Sequence, residues 1–592
     1  MKKFLFFYIA FPLILVTLPC ISGNSMPVSP TPLHETRAVW LTTIGGIDWP
    51  HTYARSQSTI QRQQEELCTI LDRLQQANIN TVLFQTRIRA TTVYPSQREP
   101  WDACLTGHAG EAPGYDPLAF AINECHKRGM QLHAWVVAIP IGKWNGAGCK
   151  ALRKTHPKIV KKIGDEGFIN PEVSESANYI ASLCRDLTAR YDIDGIHLDY
   201  IRYPDQWKSI RNRLQARENI TRIVRAVSSE VKGLKPWVAL SCSPVGKYAD
   251  TRRASSHGWN ARDIVCQDAA LWMREGLMDA IFPMMYFRDR NFYPFAIDWQ
   301  ERSAGAVVAP GLGIYFMHPR EGNWRLTDIT QELQVLRAYG MGNCMFRSKF
   351  FTDNTRGIYS YYKDFFAPLP SLPQVAAAMR RPLPHAPRFI NISHTEGGDI
   401  TLRWDDVNLS ETSSITSQPA ISYNIYGSAT CPVDTEDAGN LLAARYLGNT
   451  LTIPHHASIT YYAVTAVDRY GNESVARQTH SISSQGNIRG SAMSSHPARR
   501  SPLPVVNGST IYLNANDAPP GTLVQIASQM GTDIASCIAR HAYSLHNRSA
   551  LTSTTIDVSQ LPAGHYSLYL INKKGHRHHL GIFSIPITKP KQ

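Results

Sequence analysis

Two side chains that can carry or exchange a proton, His197 and Asp199, stand two residues apart in Gly195-Ile196-His197-Leu198-Asp199. A strand's period of two places both on one face and Ile196, Leu198 and Tyr200 on the other. A carboxylate at the C-terminal end of a buried parallel strand is where a (β/α)8 barrel meets its substrate. The chemistry this arrangement suits is acid/base work by a carboxyl group on a bound substrate, which commonly pairs one protonated carboxyl acting as acid with a second acting as base or nucleophile. Asp199 is the first candidate, and Asp289, Glu99 and Asp48 are candidate partners, with Asp289 preferred narrowly over Glu99. Burial beside Tyr200 and Tyr203 would raise the Asp199 pKa and Arg202 would lower it. The plainer reading of each carboxylate is a salt bridge or a loop cap.

Ligand sites are lined largely by apolar and aromatic side chains, so aromatic platforms are expected around such a site. Trp49, Trp101 and Tyr286 are candidates, with Trp324 as a further one; Trp40 and Trp135 fall within strands, where core packing competes. Arg87, His133, His197 and Arg202 are candidates for binding hydroxyl, acetamido or carboxylate groups. A buried, hydrogen-bonded histidine is the alternative for His133. No P-loop, Rossmann turn or His-Glu-x-x-His stands in the chain, so neither metal nor organic cofactor is expected.

Eight strand–helix repeats are needed to position these groups. The strands are read at Arg37–Thr42, Thr81–Gln85, Leu132–Val137, Gly195–Asp199, Trp237–Ser241, Ala280–Tyr286, Val307–Pro310 with Gly313–Tyr315, and Asn343–Arg347. Amphipathic helices are expected over Thr59–Ala77, Pro117–Arg128 and Ser174–Arg190. The pattern predicts an α/β chain with a (β/α)8 TIM-type barrel over residues 36–367. A doubly wound sheet is disfavoured, because no glycine-rich phosphate turn follows the first strand.

Proline-rich residues 368–387 read as a linker, and residues 388–480 as short strands without helices. The Trp404 strand, Tyr423-x-x-Tyr426-Gly427 and Tyr462-x-Val464-x-Ala466-Val467-Asp468 make this segment resemble a fibronectin type III β-sandwich. Residues 481–504 read as a second linker and 505–592 as a small C-terminal β domain. Its Leu561-Pro562-Ala563-Gly564-His565-Tyr566-Ser567-Leu568-Tyr569-Leu570 stretch reads as a late hairpin and makes it resemble type IX sorting domains, with an accessory sandwich as the alternative.

Lys2 and Lys3 ahead of apolar Phe4 to Leu18 predict a signal peptide over residues 1–23, with a short linker over 24–35. Export to the periplasm or cell envelope follows. Cys20 offers a lipid anchor in the outer membrane, but Pro19 spoils the lipobox. Cys104 and Cys149 are a candidate disulfide in that setting. The formal charge of +14 suits an anionic glycan, membrane or nucleic acid. No nucleic-acid motif favours the last, so the expected partner is a glycan, with association with the bacterial envelope.

The barrel segment resembles the glycosyl-hydrolase-like family 10 domain of bacterial cell-envelope proteins. The resemblance rests on Arg37-Ala38-Val39-Trp40-Leu41-Thr42-Thr43 with Gly46-Ile47-Asp48-Trp49-Pro50, Tyr94-Pro95-Ser96, Glu99-Pro100-Trp101 and Gly114-Tyr115-Asp116-Pro117-Leu118. It continues through Asp194 to Tyr200, Pro283 to Asp289, and Gly311 to Tyr315. It implies a glycosidase barrel, and some members cut peptidoglycan strands stripped of peptides. Relatives often carry Asn-Pro-Tyr-Arg after the third strand, where this chain has Val137-Ala138-Ile139-Pro140-Ile141. The Asp194-Gly195-x-x-x-Asp199 spacing is similar to a chitinase strand, but that strand's terminal Glu is Ile201 here. The alternative to an enzyme is a carbohydrate-binding or scaffold protein. It would keep the aromatic platforms and lack a second carboxylate within about 5–10 Å of Asp199.

Overall fold

The computed structural model describes residues 32–372 apart from 209, 252, 253, 255 and 257, then 382–407 and 420–479, and the backbone of seven strands between Val505 and Ile585. The expected signal peptide, Cys20 and the linker at 481–504 lie outside the described residues.

The larger body is mixed α/β around one curled parallel sheet. Its strands run Arg37–Leu41, Thr81–Arg87, Gln131–Val137, Gly195–Asp199, Ala239–Cys242, Ala280–Ile281, Val307–Val308 continued by Gly311–Leu312, and Asn343–Met345. Each pairs in parallel with its predecessor from the first to the seventh, and the eighth pairs with the first. The seventh segment joins the two ends of the sheet. On one side Ala309 and Gly311 donate to Ile281 and Pro283. On the other, Cys344 and Phe346 donate to Pro310 and Leu312. Pro310 accepts but has no N–H to give, so the strand breaks there without losing the ladder on that side. The sixth strand is shorter than read because Pro283 ends it, and the expected Gly313–Tyr315 strand is instead a 3-10 turn, Ile314–Met317.

Alternation sorts each strand into two faces. Val39, Leu41, Ile196 and Leu198 face the helices, while Trp40, Leu83, Trp135, Phe282 and Cys344 fill the interior. Two glycines make room for these rings. A Cβ on Gly311 would lie 2.7 Å from Trp40, and one on Gly195 2.6 Å from His133 Nδ1. The outer helices are Gln57–Gln76, capped by Ser56; Pro117–Lys127, capped by Asp116; Glu175–Arg190; and Arg213–Leu234, capped by Asn212. A three-stranded antiparallel sheet of Pro140–Lys143, Val160–Ile163 and Glu166–Ile169, which the sequence did not suggest, stands over the mouth after the third strand.

Residues 390–478 form two antiparallel sheets. One holds Ile390–His394, Ile400–Trp404 and Thr450–Ile453; the other holds Leu441–Tyr446, Ala420–Ser428, Tyr461–Asp468 and Arg477–Gln478. They bury Ile400, Leu402, Trp404, Ile425, Tyr462 and Val464 together. This unit sits under the N-terminal end of the barrel. Arg445 reaches Asp194 at 2.9 Å, Arg469 pairs with Asp192, and Tyr470 packs edge-on against Trp237. Seven further strands make two more antiparallel sheets, Val505–Asn507, Thr510–Asn514 and Ser553–Asp557, and His541–Ser544, Leu523–Ser528, Gly564–Ile571 and Arg577–Ile585. The nine described cysteines are free thiols, so Cys104 and Cys149 are not joined. Among the described residues no helix is long and apolar enough to cross a membrane.

Candidate active site

Asp199 ends the fourth strand and lies half-buried at the C-terminal mouth. The neighbouring strands hold its carboxyl from both sides. Trp135 Nε1 from the third donates to Oδ2 at 3.2 Å, and Ser243 Oγ, just past the fifth, donates to Oδ1 at 2.8 Å. The Tyr200 N–H adds a third donor at 2.7 Å. Tyr200 adopts φ +50°, a left-handed backbone that costs a non-glycine residue roughly 1–2 kcal/mol. That turn is what aims its N–H back at Asp199. Burial raises the Asp199 pKa; the Ser243 and Tyr200 bonds, the Arg202 charge and the Trp135 bond lower it, and burial wins. A carboxyl whose protonated form is favoured by burial is suited to general-acid work.

Below Asp199, His197 is sealed in the barrel interior. Trp40 Nε1 donates to its Nε2 at 3.2 Å, which leaves the proton on Nδ1 for the Ser241 hydroxyl at 3.0 Å. Burial, with His133 adding to it, pushes His197 well below its usual pKa. It is therefore a neutral support beneath Asp199 rather than a substrate contact. Arg202 packs its guanidinium 3.8 Å from the Tyr200 ring centroid and 5.1 Å from that of Trp259, and pairs with Asp205. Trp259 itself is 44% exposed at this rim, a platform the sequence did not single out.

The mouth beyond the sixth to eighth strands is walled by aromatic rings. Tyr286 stands 5.2 Å from Phe346 and 5.9 Å from Tyr315, and Phe316 stacks on Trp324 at 4.7 Å. Tyr286 is half-buried within this wall. Burial and then the Asp199 charge raise its pKa well above the usual value, which puts the two groups in each other's field.

Several expected contacts are placed elsewhere. Trp49 is fully buried, with its Nε1 bonded to the Gln63 carbonyl, so it cannot stack on a sugar. Trp101 is half-buried and packs on the barrel core. Arg87 and Glu99 form a sealed bidentate pair; Tyr179 adds a donor to Glu99, and Arg87 also bonds the Val137 and Ala138 carbonyls. Asp48 accepts from Thr42, Arg347 and the Lys349 N–H. Asp289 is exposed at the start of a 3-10 turn, and its charge acts on Tyr293, Arg325 and Glu332. His133 sits opposite Gly195, at the start of the fourth strand. Four residue steps at about 3.3 Å each put that level roughly 13 Å below Asp199, with Asp194 one step further down. Burial lowers the His133 pKa to about 4, so it is a neutral histidine of the barrel floor. Among the described residues no group of three His, Cys, Asp or Glu side chains is arranged to hold a metal ion.

Residues 35–215 and 205–316 match the family described as glycosyl hydrolase-like 10. The chain is 26% identical over 492 residues to Glycosyl hydrolase YngK of Bacillus subtilis (strain 168), covering 75% of this chain and 92% of the relative. It is 30% identical over 286 residues to Glycosyl hydrolase DigH of Escherichia coli (strain K12), covering 42% of this chain and 65% of that relative. Among solved structures it is similar to the PgaB (BpsB) glycoside hydrolase domain of Bordetella bronchiseptica. There the TM-score is 0.39 at 11% identity, over 56% of this chain and 98% of the other.

Proposed function

We propose, on the premise that this chain is a glycoside hydrolase of the glycosyl hydrolase-like 10 family, that it cuts an amino-sugar glycan of the bacterial cell wall with Asp199 as the proton donor. The observation that carries the reading is the Asp199 carboxyl itself. It stands half-buried at the barrel mouth on three donors, with its proton favoured by burial. Arg202 and Trp259 on one rim, and Tyr286, Tyr315, Phe316 and Phe346 on another, give a sugar chain apolar faces to lie on and one cation to meet. Peptidoglycan strands freed of peptides are the substrate the sequence resemblance implies. The (β/α)8 form of the barrel, the fibronectin type III-like character of residues 388–480 and export by the N-terminal segment belong to the same reading. Product release from purified, peptide-free glycan strands, followed by mass spectrometry, tests it. Wild type is expected to release defined saccharides and Asp199→Asn none. Equal release by both would remove Asp199 from the chemistry.

A further inference from the structure

The three-stranded sheet over the mouth concentrates positive charge. Between Lys143 and Lys162 stand seven lysines and arginines and no acid. The acids that follow, Asp165 and Glu166, both pair with Lys143. Lys150, Arg153, Lys154, Lys158, Lys161 and Lys162 form no ion pair among the described residues. Three of them lie on aromatic rings instead. The Arg153 guanidinium is 3.9 Å from the Trp144 ring centroid and Lys162 Nζ 5.2 Å from it, while Lys161 Nζ is 4.0 Å from that of Trp207. A ring fixes a cation without cancelling its charge, which stays available to an outside anion. On the helix Ala147–Thr155, Lys150 and Lys154 stand one turn apart and both are exposed, as are Lys158 and Lys162 beyond it.

This surface adjoins the candidate acid. The insertion leaves the third strand after Val137, which pairs with Asp199, and the Ala138 N–H donates to the Asp199 carbonyl at 2.8 Å. Trp207, beneath Lys161, belongs to the segment that leads from Asp199 to the next helix.

We propose that residues 140–169 form a docking surface for the acidic flank of the glycan, seating carboxylate-bearing sugars beyond the bond that is cut. The inference deepens the amino-sugar reading above and rests on it. Hydrolysing the amide that joins a peptide to such a strand frees a carboxylate on the sugar that carried it. A strand seated at Asp199 and running off the third- and fourth-strand side of the mouth brings those carboxylates to the cations. A sugar still linked to peptide has a neutral amide at that point, so the surface selects stripped strands. Position favours a glycan over an anionic bilayer, because the cations abut the acid at the mouth.

The test follows binding and cleavage separately, with the full chain and peptide-free strands whose carboxylates are either free or converted to methylamides. Binding is read by fluorescence anisotropy of end-labelled strands on the Asp199→Asn chain, and cleavage with Asp199 intact. Free-carboxylate strands are expected to bind about 10-fold more tightly than methylamide strands at low salt, with the gap closing as salt rises. Lys150→Gln, Lys154→Gln, Lys158→Gln and Lys162→Gln together should weaken binding of free-carboxylate strands about 10-fold and raise KM to match, with kcat unchanged, a size that suits four exposed charge contacts. Methylamide strands should not tell this variant from its parent. Equal affinity for the two strands, or a variant that binds as its parent does, would overturn the docking surface and leave the glycosidase reading intact. A variant that loses only its hold on phosphatidylglycerol vesicles would overturn it in favour of a membrane contact. Charge-dependent binding with cleavage of neither strand would uphold the surface and remove the hydrolase reading.

Discussion

Ser243→Ala takes one hydroxyl donor, 2.8 Å from Oδ1, away from Asp199 and leaves the Trp135 and Tyr200 donors in place. A hydrogen bond to a charged group contributes roughly 1.5–3 kcal/mol, and one pKa unit corresponds to about 1.4 kcal/mol. The hydroxyl also donates to the neutral acid, though more weakly. Its net preference for the anion is therefore about half that range, equivalent to roughly one pKa unit. The Ser243 bond lowers the Asp199 pKa, so its loss raises it, and the acid stays protonated to higher pH. The assay is kcat/KM for saccharide release across pH, which reports the free enzyme's groups. The alkaline limb is expected to move up by about one unit, with the maximum little changed. An alkaline limb that stays still or moves down refutes the assignment of Asp199 as the group that must be protonated.

Glu99→Gln leaves the Arg87 guanidinium buried without its countercharge and should cost about 3–5 kcal/mol in thermal or denaturant unfolding. Turnover per folded molecule should persist; its abolition at unchanged stability would make Glu99 chemical after all. For Asp194, burial opposes ionisation but Arg445 and His126 outweigh it, so its pKa is held well below the usual range. Its stabilising contribution is thus present above the unfolded pKa and lost as pH falls toward the folded one. The Tm gap between wild type and Asp194→Asn should be widest near neutrality and narrow below about pH 4; a gap independent of pH would contradict the ion pair. Glu332 is buried with neither carboxyl oxygen bonded, and burial, then Asp328 and Asp289, raise its pKa well above the usual value. Such a group costs stability as pH rises, so Glu332→Leu should gain roughly 1–3 kcal/mol at pH 8 and little at pH 4. A loss of Tm at pH 8 would show that Glu332 has a partner in solution.

Alternation alone placed the Gly195–Asp199 strand and the faces of His197 and Asp199, because a period of two is a local property of the backbone. The positions of Trp49, Glu99 and Arg87 were not legible, because each depends on a loop folding back. Trp49 looked like a loop residue, yet the chain returns over the helix Gln57–Gln76 and hands its N–H to Gln63. Glu99 read as a catalytic candidate or a loop cap and Arg87 as a substrate contact, and nothing in their spacing says that the loop between them closes a bidentate pair. His133 stands near the start of its strand, opposite Gly195, and so faces the barrel floor and not the mouth where a binding group was expected. Ser243, Tyr315, Phe346 and Trp259 are of common types and become a mouth only when the sheet curls. Glu332 did leave a signal: it shares the buried face of its helix with Ile329, Leu333 and Leu336, where a carboxylate is out of phase with its chemistry.

The barrel has one open end. Trp40, Trp135, His197 and Phe282 plug its interior, and the two-sheet unit of residues 390–478 braces the far side through Arg445 and Arg469. On the proposed reading, a glycan strand lies across this mouth like a rope over a pulley block and does not thread the barrel. Both halves of a cut strand would then leave by the face through which the strand arrived, and short products are expected to inhibit by occupying the doorway the next stretch needs.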